Sequence, residues 1–141
     1  MTLELQATPE EVMRAVETLE QFARANGVPD KIVFGLMLAL EECGSNIVNH
    51  GLDRNARQKF QVTIERNQDT FIIELRDRGP AFDPTKAPEP KPPTEDDPPG
   101  GWGIQLVRRH IDEMHYRRVA EENILRLVKH VHGPGNRQSS C

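Results

Sequence analysis

The eleven residues EECGSNIVNHG, 41 to 51, hold two carboxylates, a thiol, a hydroxyl, two carboxamides and an imidazole, directly after the apolar run KIVFGLMLAL. On a helix of about 100° per residue, Glu42, Asn46, Asn49 and His50 share roughly a quarter of the circumference, while Leu36, Leu40 and Ile47 gather about a third of a turn away. The upstream half is apolar almost all round, so the helix is expected to be buried and its polar stripe to face a cavity or paired groups. Two readings of that stripe stand. Asn46 and Asn49 can satisfy backbone carbonyls at the helix end with Glu42 paired to an arginine, or the set can line a site; His50 reads as a cap.

Two more segments carry chemistry. In RDRGPAF, 76 to 82, a strand ends in an aspartate with a glycine two residues on, which is turn chemistry at the least. In GGWGIQLV, 100 to 107, glycines open a helix, where free N–H groups and the helix dipole can hold phosphate. His130 and His132 alternate on one strand face with no third ligand in sequence, so they read as a solvated strand end. Arg108, Arg109, Arg117 and Arg118 read as solvated, with partner docking as the second reading, and Trp102 as a packing residue.

The elements that must position these groups follow from periodicity and punctuation. Thr2 to Ala7 alternate apolar and polar; Thr8, Pro9, Glu10 and Glu11 start a first helix that Asn26-Gly27 ends. Asp30 is expected to cap a second helix running to about Asn49 and stopped by Gly51. Phe60 to Arg66 and Phe71 to Asp77 read as strands joined by a turn at Asn67, Gln68 and Asp69. Residues 80 to 99 hold eight of the eleven prolines, a composition for a long loop and not for a packed element. A third helix from about Ile104 to Glu113 and the strands HYRRVA and NILRLVKHV complete the chain, with GPGNRQSSC as a frayed tail. The sum is an α+β two-layer sandwich: a mixed, mainly antiparallel sheet covered on one face by helices.

Composition narrows the function classes. At 141 residues, 36% hydrophobic and 28% charged, the chain has the size of one ordinary domain. A net charge of −4 and a pI of 5.7 argue against nucleic acid and an anionic membrane surface, both of which reward a basic patch. No segment reads as an 18-residue membrane span, and MTLELQATPEEV lacks the regions of a secretion signal, so a cytoplasmic protein is expected. Cys43 and Cys141 suggest reduced thiols and neither a disulfide framework nor a metal set.

Taken in order, the three chemical segments resemble the Bergerat-fold (GHKL) ATPases, the superfamily of DNA gyrase, a heat-shock chaperone, mismatch-repair ATPases and histidine-kinase ATP domains. E-x-x-x-N is Glu42 and Asn46; D-x-G-x-[GA] is Asp77, Gly79 and Ala81; G-x-G-x-x-L is Gly101, Gly103 and Leu106. The size and the ECGSNIVNHG form of the first motif are most similar to the small anti-sigma factor serine kinases. The resemblance spans about Glu10 to Val131. It implies the histidine-kinase-like ATPase fold as a single kinase-like domain over 1 to 133, with a lid at about 80 to 100 and a tail at 134 to 141.

The resemblance also implies roles. ATP and Mg²⁺ would bind, with Asn46 ligating the metal, Asn49 helping to hold metal or phosphates, and Asp77 accepting the adenine amino group. Gly79 and Ala81 would shape the turn under the base; Gly101 and Gly103, with Ile104 beside them, would form the phosphate-side hinge of the lid. Glu42 would orient or deprotonate the attacking hydroxyl. The function implied is a serine/threonine kinase of a partner-switching module that phosphorylates an antagonist protein, binds a sigma factor and forms a homodimer. Pro80 and Ala81 depart from a second flexible glycine and stiffen the turn. With the acidic residues Glu95, Asp96 and Asp97 in the lid, that departure keeps a second reading in view, a nucleotide-responsive binding protein with weak catalysis.

Overall fold

Alternation in TLELQ buries Leu5 and leaves Glu4 exposed, giving an edge strand, β1 (Thr2–Gln6), in the computed structural model, which describes residues 1–53, 55–86 and 103–131. Most of the expected lid, Gly101, Trp102, His132 and the tail at 134 to 141 lie outside the described residues. The chain then enters α1 (Pro9–Ala25), whose Thr8 cap hydroxyl accepts the Glu11 N–H at 3.2 Å. The helix ends as Asn26-Gly27 requires. Gly27, at φ 74°, donates to Arg24 O, and the Val28 N–H reaches back to Ala23 O, the paired closing bonds of a left-handed helix end.

In α2 (Asp30–Asn46) the expected cap is corrected: extended Pro29 holds the cap position, and its carbonyl accepts the Ile32 and Val33 N–H groups, both at 3.0 Å. Proline is preset for that backbone. Asp30 falls inside the first turn and pairs with Arg24 instead. Beyond Asn46 the helix continues as a π-turn, Ile47–Gly51, closed by Leu52 N–H to Ile47 O at 2.7 Å. The run Asp30–Gly51 is long and apolar enough, by length and composition alone, to cross a membrane, which corrects the expectation that no segment reads so. Its composition has a core explanation: Val33, Leu36, Ala39 and Leu40 are at most 1% exposed in the packed core.

The remaining elements are β2 (Lys59–Asn67), β3 (Thr70–Asp77), a 3₁₀ turn at Pro84–Lys86, α3 (Gly103–His110), β4 (Glu113–Val119) and β5 (Glu122–His130). The third helix stops short of the expected Glu113. The Asp112 N–H bonds Val128 O at 2.9 Å, and Glu113 already pairs with Val128 in the sheet, so strand pairing wins the last turn. The sheet order is β1-β2-β3-β5-β4, and every neighbouring pair is antiparallel. The α+β class and the helix-covered sheet are as expected. Phe60, Val62, Ile64, Phe71, Ile73, Leu75, Leu125 and Leu127 belong to the core shared with the helices, and Phe22 meets Phe71 edge-on at 5.9 Å. On the other face Ile72, Ile124 and Val128 are also buried, and Glu74 pairs with Arg76 at 2.8 Å and Arg126 at 4.0 Å.

The β4–β5 hairpin turns through Ala120 and Glu121 at φ 50° and 67°, a conformation that suits Asn or Gly. Glu121→Gly is therefore expected to stabilise the fold by about 0.5–1 kcal/mol, the relief of a left-handed Cβ less the entropy glycine adds to the unfolded chain. A higher urea midpoint at unchanged slope is the measurement.

Candidate functional site

Asp77 is the last residue of β3 on the inward side. Its register partner on β5 is Asn123, and the partner of Asn123 on β4 is Arg118. One row further in, the same positions are Leu75, Leu125 and Tyr116, so the core face of the sheet ends in a polar row. Asp77 and Asn123 are 7% and 6% exposed, and at that depth each polar atom needs a partner. Asp77 Oδ1 accepts the Gly79 N–H at 2.8 Å and Asn123 Nδ2 at 3.0 Å; Oδ2 takes no hydrogen bond among the described residues. Asn123 Nδ2 also reaches Pro80 O at 2.9 Å and Gly79 O at 3.2 Å. Its Oδ1 accepts the Tyr116 hydroxyl and Arg118 Nη1, the latter at 3.0 Å.

Gly79 is required by proximity. A Cβ there would sit 2.5 Å from Gly51 O, so the turn after β3 presses on the π-turn after α2. Gly79→Ala is expected to force these two walls apart, with a stability loss of about 1–3 kcal/mol as for other overpacked sites and weaker ligand binding. A thermal melt with calorimetry checks both.

Between the walls lies a cavity of about 260 Å³, lined by Asn46, His50 and Gly51 from the helix end, by Asp77, Pro80, Ala81, Phe82 and Pro84, by Ile104, and by Tyr116, Asn123 and Leu125, with Cys43 and Ile47 behind. Of the residues expected at a site, Asn46, Asp77, Ala81 and Ile104 line it directly, and Gly79 holds Asp77. Asn49 is absent from the lining and His50 is present. The wider π-turn advances each residue by less than an α-turn does, so His50 and not Asn49 comes round to the face of Asn46. The four-residue spacing 42, 46, 50 was the signal for it in the sequence.

Glu42 lies one turn before Asn46, half-buried, against the first residue of α3: a methyl at Gly103 would fall 2.2 Å from Glu42 Oε2. The carboxyl has no ion pair or hydrogen bond among the described residues, and neither does the Asn46 carboxamide. Burial pushes the Glu42 carboxyl above the ordinary glutamate value of 4.5, helped by the neighbouring charge of Glu41. Cys43, 2% exposed, has its thiol pushed up to about 12 by burial and then by Glu42, so at neutral pH it is an inert apolar wall.

Two of the arginines expected to be solvated also bond the rim, Arg108 half-buried and Arg118 still exposed. Arg118 Nη1 bonds Gly79 O at 3.0 Å, and Arg108 Nη2 bonds Thr85 O at 2.6 Å. Thr85 is itself held by Asp83 Oδ1, through its N–H at 2.9 Å and its hydroxyl at 2.5 Å. Carbonyls exposed by an irregular, proline-rich turn need donors, and arginine supplies several from one side chain. Arg109 and Arg117 remain exposed. His130 faces Glu113 at 3.4 Å, and no group of three acidic, His or Cys side chains among the described residues is placed to hold a metal.

The arrangement is a mainly apolar slot that the Asp77 carboxyl and the Asn46 carboxamide line, with Glu42 outside the lining, against the start of α3. That geometry has relatives. A family model described as a histidine kinase-like ATPase domain matches residues 5–129. The serine/threonine-protein kinase BtrW of Bordetella bronchiseptica is 30% identical over 131 residues, covering 92% of this chain and 92% of that protein. The serine-protein kinase RsbW of Oceanobacillus iheyensis is 28% identical over 118 residues, 79% of this chain and 75% of the other. The solved RsbU and RsbW domains of Rv1364c from Mycobacterium tuberculosis superpose with a TM-score of 0.68 at 17% identity, over 95% of this chain and 33% of that one. A chain of the SiaB–SiaC complex from Pseudomonas aeruginosa gives 0.60 at 10% identity, over 92% and 88%.

Proposed function

Because this chain belongs to the histidine kinase-like ATPase domain family, we propose that it is an ATP-dependent serine/threonine protein kinase of a partner-switching module. Its protein substrate is an antagonist, its regulatory target a sigma factor, its working form a homodimer and its compartment the cytoplasm, with neither nucleic acid nor membrane as a partner. The observation that carries the reading is Asp77 Oδ2, which among the described residues is the uncommitted acceptor of a carboxylate otherwise pinned, on the lining of a mainly apolar slot. A flat ring with an exocyclic amino group fits it: the ring faces apolar walls, and the amino group finds its acceptor.

The phosphates then run toward Asn46 and the start of α3, whose leading N–H groups favour an anion. A Mg²⁺ ion suits that end, where Asn46 offers one neutral oxygen and the phosphates and waters would supply the rest; when bound it neutralises charge developing across the phosphates. Glu42, at the same end, has the position and the raised basicity to orient an acceptor hydroxyl and take its proton. Tyr116, Leu125 and Ile104 supply walls for the slot.

Incubation with γ-labelled ATP and candidate antagonist proteins tests the proposal. Label is expected on a serine or threonine of one antagonist. Nucleotide binding without transfer to any antagonist supports the binding-protein reading, which the Asn123 clamp on the Pro80 carbonyl favours by stiffening the turn.

A further inference from the structure

We infer that Asn123 is a positioning residue for base selection: it does not pair with the base but locks the Asp77 carboxylate so that a single acceptor faces the slot. The inference rests on the proposed nucleotide reading and goes beyond it in assigning discrimination between 6-amino and 6-oxo purines to a β5 side chain. Its carboxamide is saturated. Nδ2 has two protons and three acceptors in range, at 2.9, 3.0 and 3.2 Å, and Oδ1 already takes the Tyr116 hydroxyl and Arg118. The amide cannot be turned over, because Arg118 can only donate and would then face an NH₂ group. A ligand therefore finds no free donor on Asn123, and Asp77 Oδ1 is occupied by two donors.

Among the described residues Oδ2 alone is left for the base, and a carboxylate oxygen only accepts. It welcomes an exocyclic amino group and repels a carbonyl oxygen at the same place. Without the Asn123 donor, the carboxylate keeps, among the described residues, the Gly79 N–H alone and can rotate or admit water, which weakens the preferred base more than the rejected one. The turn carbonyls of Gly79 and Pro80 lose their side-chain donor in the same change.

Calorimetry with Mg²⁺-ATP and Mg²⁺-GTP on wild type, Asn123→Ala, Asn123→Asp and Tyr116→Phe is the test, with circular dichroism to confirm folding. Asn123→Ala is expected to lose about 10- to 100-fold in ATP affinity, as for a hydrogen bond to a charged group, and much less for GTP, so that the ratio narrows. Loss of fold would move both affinities together and leave the ratio unchanged. Asn123→Asp sets a second carboxyl against Asp77 Oδ1 beside Arg118, a pair that must share a proton. Its ATP affinity should fall more steeply than that of wild type as pH rises and the shared proton is lost, with wild type measured in parallel. Tyr116→Phe, which removes one donor to Asn123 Oδ1, should shift the ratio in the same direction by a smaller factor. An unchanged ATP:GTP ratio in a folded Asn123→Ala protein, or a pH profile for Asn123→Asp matching wild type, overturns the inference while nucleotide binding by wild type upholds the pocket. Absence of ATP binding by wild type overturns both.

Discussion

Glu42→Ala is expected to bind Mg²⁺-ATP with nearly wild-type affinity and to transfer phosphate about 10²- to 10⁴-fold more slowly, the usual contribution of a general base. The side chain is half-buried and without hydrogen-bond partners among the described residues, which suits a group waiting for a substrate and not one bracing the fold. It does touch the start of α3 at Gly103, where a negative charge favours the helix dipole, so the alanine variant also removes packing. Glu42→Gln separates the two effects because it keeps the contact and loses the base. Both variants should lose transfer and keep binding. Loss of binding in both, or transfer surviving in Glu42→Gln, would return Glu42 to a structural role.

The pH dependence carries the same assignment. Burial and Glu41 raise the Glu42 carboxyl above 4.5, and a base must be ionised, so transfer should fall as pH drops through a value above the ordinary glutamate range. The stability effect has the opposite sense. A carboxyl raised on folding favours the neutral form, so its contribution is fully present below pH 4.5 and is lost as pH rises through the folded value. Glu42→Gln should then be slightly more stable than wild type at neutral pH and no more stable in acid.

Much of the architecture was legible because the strongest signals are local. Thr8-Pro9 and Asn26-Gly27 place the ends of α1 wherever the helix packs, and the alternation of VTI and FIIEL sets the inward faces of β2 and β3. What the sequence hid is cross-strand or phase-dependent. Arg108 and Arg118 look like surface charge along the chain, and only the turn at 79 to 85, folded back on them, gives each a carbonyl to hold. The π-turn changes the helix phase enough to carry Asn49 off the face that it would share with Asn46 and His50 in an α-helix, and no composition rule marks that shift. Asn123 was readable in principle: with Leu125 and Leu127 inward, alternation on β5 makes Asn123 inward too, a polar residue at a core position that requires partners.

The largest effect on binding is expected from Asp77→Asn, and its direction follows from which atoms are already committed. The Gly79 N–H and Asn123 Nδ2 both donate to Asp77 Oδ1, so a carboxamide at this position must keep its oxygen toward them. Its NH₂ group then takes the place of Oδ2 and faces the base. The fold should notice little, since every buried donor keeps its acceptor. The ligand meets a donor where it needs an acceptor, and ATP affinity should fall about 100-fold or more, the loss of a charged hydrogen bond compounded by two opposed N–H groups. The same inversion predicts a gain: a purine with a carbonyl oxygen at position 6 now has a donor to meet, so GTP or ITP should bind the variant more tightly than it binds wild type. Calorimetry with the three nucleotides decides it. Unchanged ATP affinity would place the base elsewhere, and a loss for ATP with an equal loss for GTP would mean that the substitution had damaged the pocket and that the acceptor on Asp77 was not what read the base.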